Sequence, residues 1–317
     1  MKFPPSLIAI LGILGSSALF PLAGAAIQMC NRVPPLQMLF VRCLLGGIGV
    51  TSYMVSKSKT YLGPSKALFW ILGSGILGAI GAGSYASGVW MLPLGNVTSV
   101  FTTYPVVTLI LARIFLKEKL LLHQVLCIVL IGMGAILIAK PSFLFETTQG
   151  GSDVGYLICL FGSLAFGSMF FFAKKASYFK GVSLAMLFSF NLSGVLISIL
   201  GAVYIPSQTF VVPNTLTEYT AIAFFTLSGL LIQLSYNYGS KHLNASLVAV
   251  ISVTEGFWAF LWQIVLFQHQ SDYTAYVGAA IVVVCVGIIC VGKGKASPKA
   301  CTDEPEDQPF QTNASLG

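Results

Sequence analysis

The sequence predicts an all-α integral membrane protein, with ten transmembrane helices folded as two inverted five-helix repeats. Three observations carry that prediction. Of 317 residues, 56% are apolar and 9% charged, where a soluble domain carries about 25% charged residues. The apolar residues gather in successive runs of about 20, the length a helix needs to cross a hydrocarbon core about 30 Å thick. The chain also aligns with itself at a shift of 151 residues, which splits the runs into two sets of five. The strict alternation of a membrane β-barrel is absent.

The first helix is expected over 5–27. Lys2 and the small residues Ala23 to Ala25 give this run the look of a secretory signal, but the repeat needs it as a retained helix. The second run, 35–56, carries Arg42 roughly a third of the way across, and ends in the turn-rich "SKSKTYLGPSK" (Ser56 to Lys66). The third, 66–91, holds a row of small residues from Gly73 to Gly88 that permits close helix packing, and Trp90 near its end suits an interfacial anchor. The fourth and fifth are expected at 94–116 and 120–139, followed by the connecting loop 141–153. The second half places helices at 154–174, with the small row Gly162 to Ser168, and at 182–204, 217–240, 243–267 and 273–292. Between the first two of these and the third, "IPSQTFVVPNT" (Ile205 to Thr215) supplies Pro, Ser and Asn for a turn. The domains are therefore 1–140, a first repeat, and 154–292, a second. A polar tail, 293–317, with the acidic cluster Asp303 to Pro309, reads as a disordered, solubilising segment on the cytoplasmic side.

Several function classes are excluded at this level. The seven cysteines show no C-x-x-C pairing and mostly sit in apolar runs, where they act as small hydrophobic residues. His123, His242 and His269 lie far apart at helix ends, so neither a metal site nor a cofactor is indicated. No Walker A loop, nucleophile elbow or H-E-x-x-H pair is present, and the helices supply one acid and no mid-helix histidine, which argues against an enzyme. With both termini in the cytoplasm, Lys2, Lys57, Lys59, Lys66, Arg113, Lys117, Lys119, Lys174, Lys175, Lys180, Lys241, Lys293, Lys295 and Lys299 all fall on the inner side. That is 14 of 17 basic residues, as the positive-inside rule requires. The net charge of +7 is then a topology signal and an attraction to anionic lipid heads, and needs no nucleic acid.

The repeat connects fold to function. The 151-residue shift lays Tyr85 to Lys119 onto Tyr236 to Gln270. Five is odd, so the two halves enter the membrane in opposite directions. The basic "RIFLKEK" (Arg113 to Lys119) then lies inside and its counterpart "IVLFQHQ" (Ile264 to Gln270), stripped of fixed charge, lies outside. Inverted repeats of this kind build secondary transporters, in which the halves rock about a binding site at their interface.

The candidate site follows from the charges left inside the membrane. Glu255 stands near the centre of "LVAVISVTEGFWAFLWQIVLF" (Leu247 to Phe267), where a carboxylate costs roughly 2.5 to 3.5 kcal/mol on insertion scales. Its repeat counterpart is Tyr104, and the next residues, Gly256 and Pro105, correspond too. Paired helix-weakening residues in matching helices point to a binding site. Arg42 is the other intramembrane charge. Either Glu255 and Arg42 form a structural salt bridge and Pro105 is a packing kink, or these groups line a substrate or ion pathway. Tyr85, Gln233, Tyr236, Asn237 and Gln263 lie in runs able to face the same cavity, where each either bonds a neighbouring helix or contacts a ligand.

At these residues the sequence resembles the drug/metabolite transporter superfamily with its EamA-type repeats. "PVVTLILARIFLKEKL" (Pro105 to Leu120) with "GMGAILIAKPSFLF" (Gly132 to Phe145) resembles the end of a first repeat. "FWAFLWQIVLF" (Phe257 to Phe267) resembles the matching part of the second, and Arg42 in "LFVRCLLGG" (Leu39 to Gly47) matches a recurrent arginine of the second helix. The phrases are most similar to the G subfamily of solute carrier family 35. Gly256 stands where many such repeats have proline, and "FQHQ" (Phe267 to Gln270) lacks the acid of "LKEK". The resemblance implies a secondary transporter working by alternating access but assigns no substrate; the intramembrane residues point to a small polar metabolite, an anion first, moved with proton coupling or by exchange. Arg42 would attract the anion, the tyrosines would contact it, and Glu255 would bind a coupling proton or a substrate amine. Nucleotide-sugar or amino-acid transport, or a non-transporting scaffold or receptor, are the alternatives. Membrane lipid is an expected partner, a homodimer stays open, and the plasma membrane and the Golgi or endoplasmic reticulum are equally compatible.

Overall fold

The computed structural model describes residues 4–30, 32–57, 61, 63–92, 94–101, 103–116, 122–139, 153–252, 254–267, 277–278, 280–281 and 284–285. Among them every regular element is helical. Helices α1 (Pro5–Gln28) and α2 (Pro35–Ser56) both start on a proline, whose missing N–H is no loss in a first turn and whose fixed φ suits the helix. A short 3₁₀ turn, Ser65–Ala67, leads into α3 (Leu68–Met91). Then come α4 (Leu94–Phe101), α5 (Tyr104–Phe115), α6 (Leu122–Ala139) and α7 (Asp153–Ala176). Gly181, at φ 79°, makes the left-handed turn before α8 (Val182–Tyr204). Helix α9 (Leu216–His242) opens with a capping box: the Glu218 amide donates to Thr215 Oγ1 at 3.3 Å, and the Thr215 amide donates back to Glu218 Oε2 at 3.4 Å. Last are α10 (Ala245–Ser252) and α11 (Glu255–Phe267).

Six of the described helices, α1, α2, α3, α7, α8 and α9, are long and apolar enough to cross a membrane. Their expected spans agree with the observed ones to within two residues at each end. The expectation of unbroken helices over 94–116 and 243–267 is corrected: each is two helices, α4 with α5 and α10 with α11. The expected tenth helix lies almost wholly outside the described residues, as do the loop 141–152 and the tail 293–317.

The two breaks are built alike. At the first, the Thr103 amide and Oγ1 both donate to the Val100 carbonyl, at 3.2 and 2.8 Å. At the second, the Thr254 amide and Oγ1 both donate to the Ile251 carbonyl, at 3.1 and 2.9 Å. Thr254 and Ile251 lie 151 residues beyond Thr103 and Val100. A hydroxyl closing on the carbonyl three residues back competes with the helical ladder, so each threonine ends a helix locally without needing proline.

Packing pairs the halves crosswise. Helix α3 lies along α7 and α8, α1 lies along α9, and α2 lies against α8 and α9. The small-residue row of α3 is what permits its approach: a Cβ on Gly75 would come within 2.6 Å of the Ser189 backbone on α8. The largest cluster of buried apolar residues runs through α1, α3, α4, α5, α7, α9 and α10, with Phe101 and Tyr104 almost fully buried at its centre.

Candidate functional site

Glu255 is the first residue of α11, placed at the second break. Its Oε1 accepts a hydrogen bond from the Tyr104 hydroxyl at 3.0 Å and another from the Tyr236 hydroxyl at 2.6 Å. All three side chains are buried. Tyr104 begins α5, on the far side of the first break, so the two breaks meet through this bond. Pro105 and Gly256 are the second residues of α5 and α11. The tyrosines are held by rings on α7: Tyr104 stacks on Phe170 at 5.7 Å between centroids, and Tyr236 meets the same ring edge-on at 5.1 Å.

Arg42 is 8% exposed and sits apart from this cluster. One of its terminal nitrogens donates to the Gly229 carbonyl at 3.1 Å. The Phe190 and Phe225 rings lie 5.4 and 5.7 Å from the guanidinium carbon, within cation–π range. The close approach depends on Gly229 lacking a side chain, since a Cβ there would meet that carbon at 2.6 Å. The contacts of Arg42 and Glu255 do not include one another. The salt-bridge reading is thereby corrected: depth in the membrane puts the two charges in the same zone, but helix rotation faces Arg42 toward α8 and α9 while Glu255 turns to tyrosine hydroxyls.

A cavity of about 60 Å³ opens between α1, α2, α3, α7, α8 and α9. Five of the residues expected at a site line it: Arg42, Tyr85, Gln233, Tyr236 and Asn237. Tyr104 and Glu255 stand one layer behind, reached through Tyr236. The side chain of Gln263 lies outside the described residues. Asn237 Nδ2 donates to the Gln233 carbonyl one turn back, at 3.0 Å. Arg42 Nε, the Tyr85 hydroxyl and both amide atoms of Gln233 are buried with no hydrogen-bond partner. Buried polar groups are ordinarily satisfied, and an unpaired buried charge is expensive. Three such residues line one cavity.

The sequence reading did not single out the aromatic wall, Phe20, Phe166, Phe190 and Phe225, nor the glycine seat of Arg42. Gly229 stands four residues before Gln233, so helical spacing along α9 could have flagged it. Among the described residues no group of three or more His, Cys, Asp or Glu side chains could hold a metal ion, and the five described cysteines are free and buried.

Residues 7–140 match the EamA-like transporter family. The chain is 24% identical to solute carrier family 35 member G1 of Homo sapiens, over 89% of this chain and 78% of that one. It is 23% identical to a membrane protein of Saccharomyces cerevisiae, covering 80% of this chain but only 65% of that longer protein. The pseudopaline exporter of Pseudomonas aeruginosa is 20% identical, over 90% of this chain and 96% of its own. One solved crystal structure, 15% identical, shares the fold at a TM-score of 0.72, over 92% of this chain and 99% of its own.

Fold and comparisons together describe a multi-pass integral membrane protein whose similar proteins include transporters. Its first part, residues 7–140, is similar to the EamA-like transporter family, and most of its length is similar to proteins like solute carrier family 35 member G1.

Proposed function

We propose that this protein is a secondary transporter for a small anionic metabolite, working by alternating access between two inverted five-helix repeats. The observation that carries the anion is Arg42, a buried cation at a cavity that no acid lines among the described residues. A fixed guanidinium with a free N–H is suited to a carboxylate or another oxyanion. The repeat reading is supported by two breaks with the same threonine turn, 151 residues apart, and by the crosswise packing in which α3 with α7 and α1 with α9 exchange places under that shift. The remaining five-helix count and the cytoplasmic placement of both termini follow from the apolar runs and the basic residues.

Tyr236 joins the cavity wall to Glu255. A ligand that moves this ring disturbs a donor to the acid, so substrate binding and proton binding are linked in this reading.

Uptake into liposomes holding the purified protein tests both parts. Arg42→Ala lowers apparent anion affinity by about tenfold or more, and unchanged affinity would refute the role given to the guanidinium. Glu255→Gln, close in shape and still able to accept the tyrosine bonds, gives uptake that no longer responds to a pH gradient. A wild-type pH response in that variant removes Glu255 from proton coupling.

A further inference from the structure

We infer that the cavity takes a monocarboxylate with an apolar or aromatic body and an amide beside the carboxylate, the chemistry of an N-acylated apolar amino acid. The inference rests on the anion-transport reading and narrows it.

The charge count comes first. Arg42 is the cation among the lining residues, and the Phe190 and Phe225 rings flank it. Lys174, next to the lining Ala173, does not serve as a second cation for a ligand. Its Nζ donates to the Ser240 and Leu243 carbonyls, at 3.3 and 2.8 Å, at the end of α9. A second carboxylate would thus enter a largely apolar space without a partner. A free ammonium fares no better, because among the described residues no acid lines the cavity and Glu255 Oε1 already accepts from two tyrosines. One negative charge and no amine are what the site can pair.

Gln233 supplies the second requirement. Its amide N–H₂ and C=O are both buried and unpartnered, so the complementary group must accept and donate at once, as an amide does. Gln233 lies one turn along α9 from Gly229, whose carbonyl seats Arg42. Four residues of helix rise put the two about 6 Å apart along the axis. A carboxylate on Arg42 and an amide on Gln233 therefore belong to neighbouring positions of one small molecule. Phe20, Phe166, Met169 and Ile232 make much of the remaining wall apolar, beside the hydroxyls of Ser74, Tyr85, Tyr236 and Ser240 and the amide of Asn237.

Thermal-shift titration of the purified full-length protein tests this with five probes: N-acetyl-L-phenylalanine, L-phenylalanine, 3-phenylpropionate, N-acetyl-L-aspartate and citrate. N-acetyl-L-phenylalanine is expected to bind about tenfold more tightly than the other four, the factor of a satisfied buried amide or an avoided buried charge. Gln233→Leu is expected to remove that advantage over 3-phenylpropionate, whose own affinity stays the same. Tighter binding of citrate or N-acetyl-L-aspartate overturns the monoanion inference and leaves anion transport standing. Equal loss of both phenyl anions in Gln233→Leu overturns the amide contact alone. Preference for L-phenylalanine, or no shift with any anion, overturns both readings. Should the Gln233→Leu protein fail to fold, the ranking of the five probes on the wild type still decides.

Discussion

Glu255 shows how a membrane-buried acid is housed. Two hydroxyl donors on one carboxyl oxygen replace the water it lost, and leaving such a buried polar group unsatisfied costs about 1 to 3 kcal/mol. Tyr104→Phe and Tyr236→Phe are each expected to lower stability by that order in thermal unfolding of the solubilised protein, and the double variant by more than either. Loss of under about 0.5 kcal/mol in both single variants would show the hydroxyls are dispensable. The acid and its repeat counterpart, Tyr104, were legible as paired positions from the self-alignment. Their contact was not, because an alignment gives equivalence and says nothing of distance. Nor was the setting of Arg42: its depth can be read from its place in the run, but its azimuth is fixed by Gly229 and the two phenylalanines, residues on other helices.

The broken helices carry the lesson at the level of elements. Hydropathy located α1, α2, α3, α7, α8 and α9 almost to the residue, since polar or turn-forming residues interrupt the apolar runs at their ends. It passed over both breaks, because the chain on each side of Thr103 and Thr254 is equally apolar and a window average sees no gap. Pro105 drew the sequence reading to the right place for an incomplete reason. It occupies the second position of α5, where a missing amide donor costs little, and the second half breaks in the same way with Gly256. Pro105→Ala is accordingly expected to keep the α4 to α5 break and to change stability by less than about 1 kcal/mol. Electron paramagnetic resonance distances between labels on the ends of α4 and α5 would check it. A lengthened, straight helix in that variant would return the cause of the break to proline.

At the scale of the whole molecule, the proposed two-fold relation makes the cavity's tyrosines unequal partners. Tyr85 and Tyr236 are equivalent under the 151-residue shift, yet Tyr236 bonds Glu255 while the Tyr85 hydroxyl is buried without a partner. In an inverted-repeat transporter the opposite-facing state arises when the halves trade conformations. That exchange carries the Tyr236 to Glu255 contact onto Tyr85 and Tyr104, whose hydroxyl has lone pairs to accept. Tyr85→Phe is therefore expected to slow turnover in liposomes while leaving thermal stability of the form described here unchanged, the reverse of the order expected for Tyr236→Phe. Equal effects of the two on stability would count against the exchange. The Tyr104 to Glu255 bond behaves differently from both. Tyr104 and Glu255 are each other's counterparts under the shift, so the proposed operation that swaps the halves returns this bond to itself. In the proposed motion it is the fixed point, a fulcrum that the same two side chains would occupy at either extreme of the stroke while everything farther from it swings.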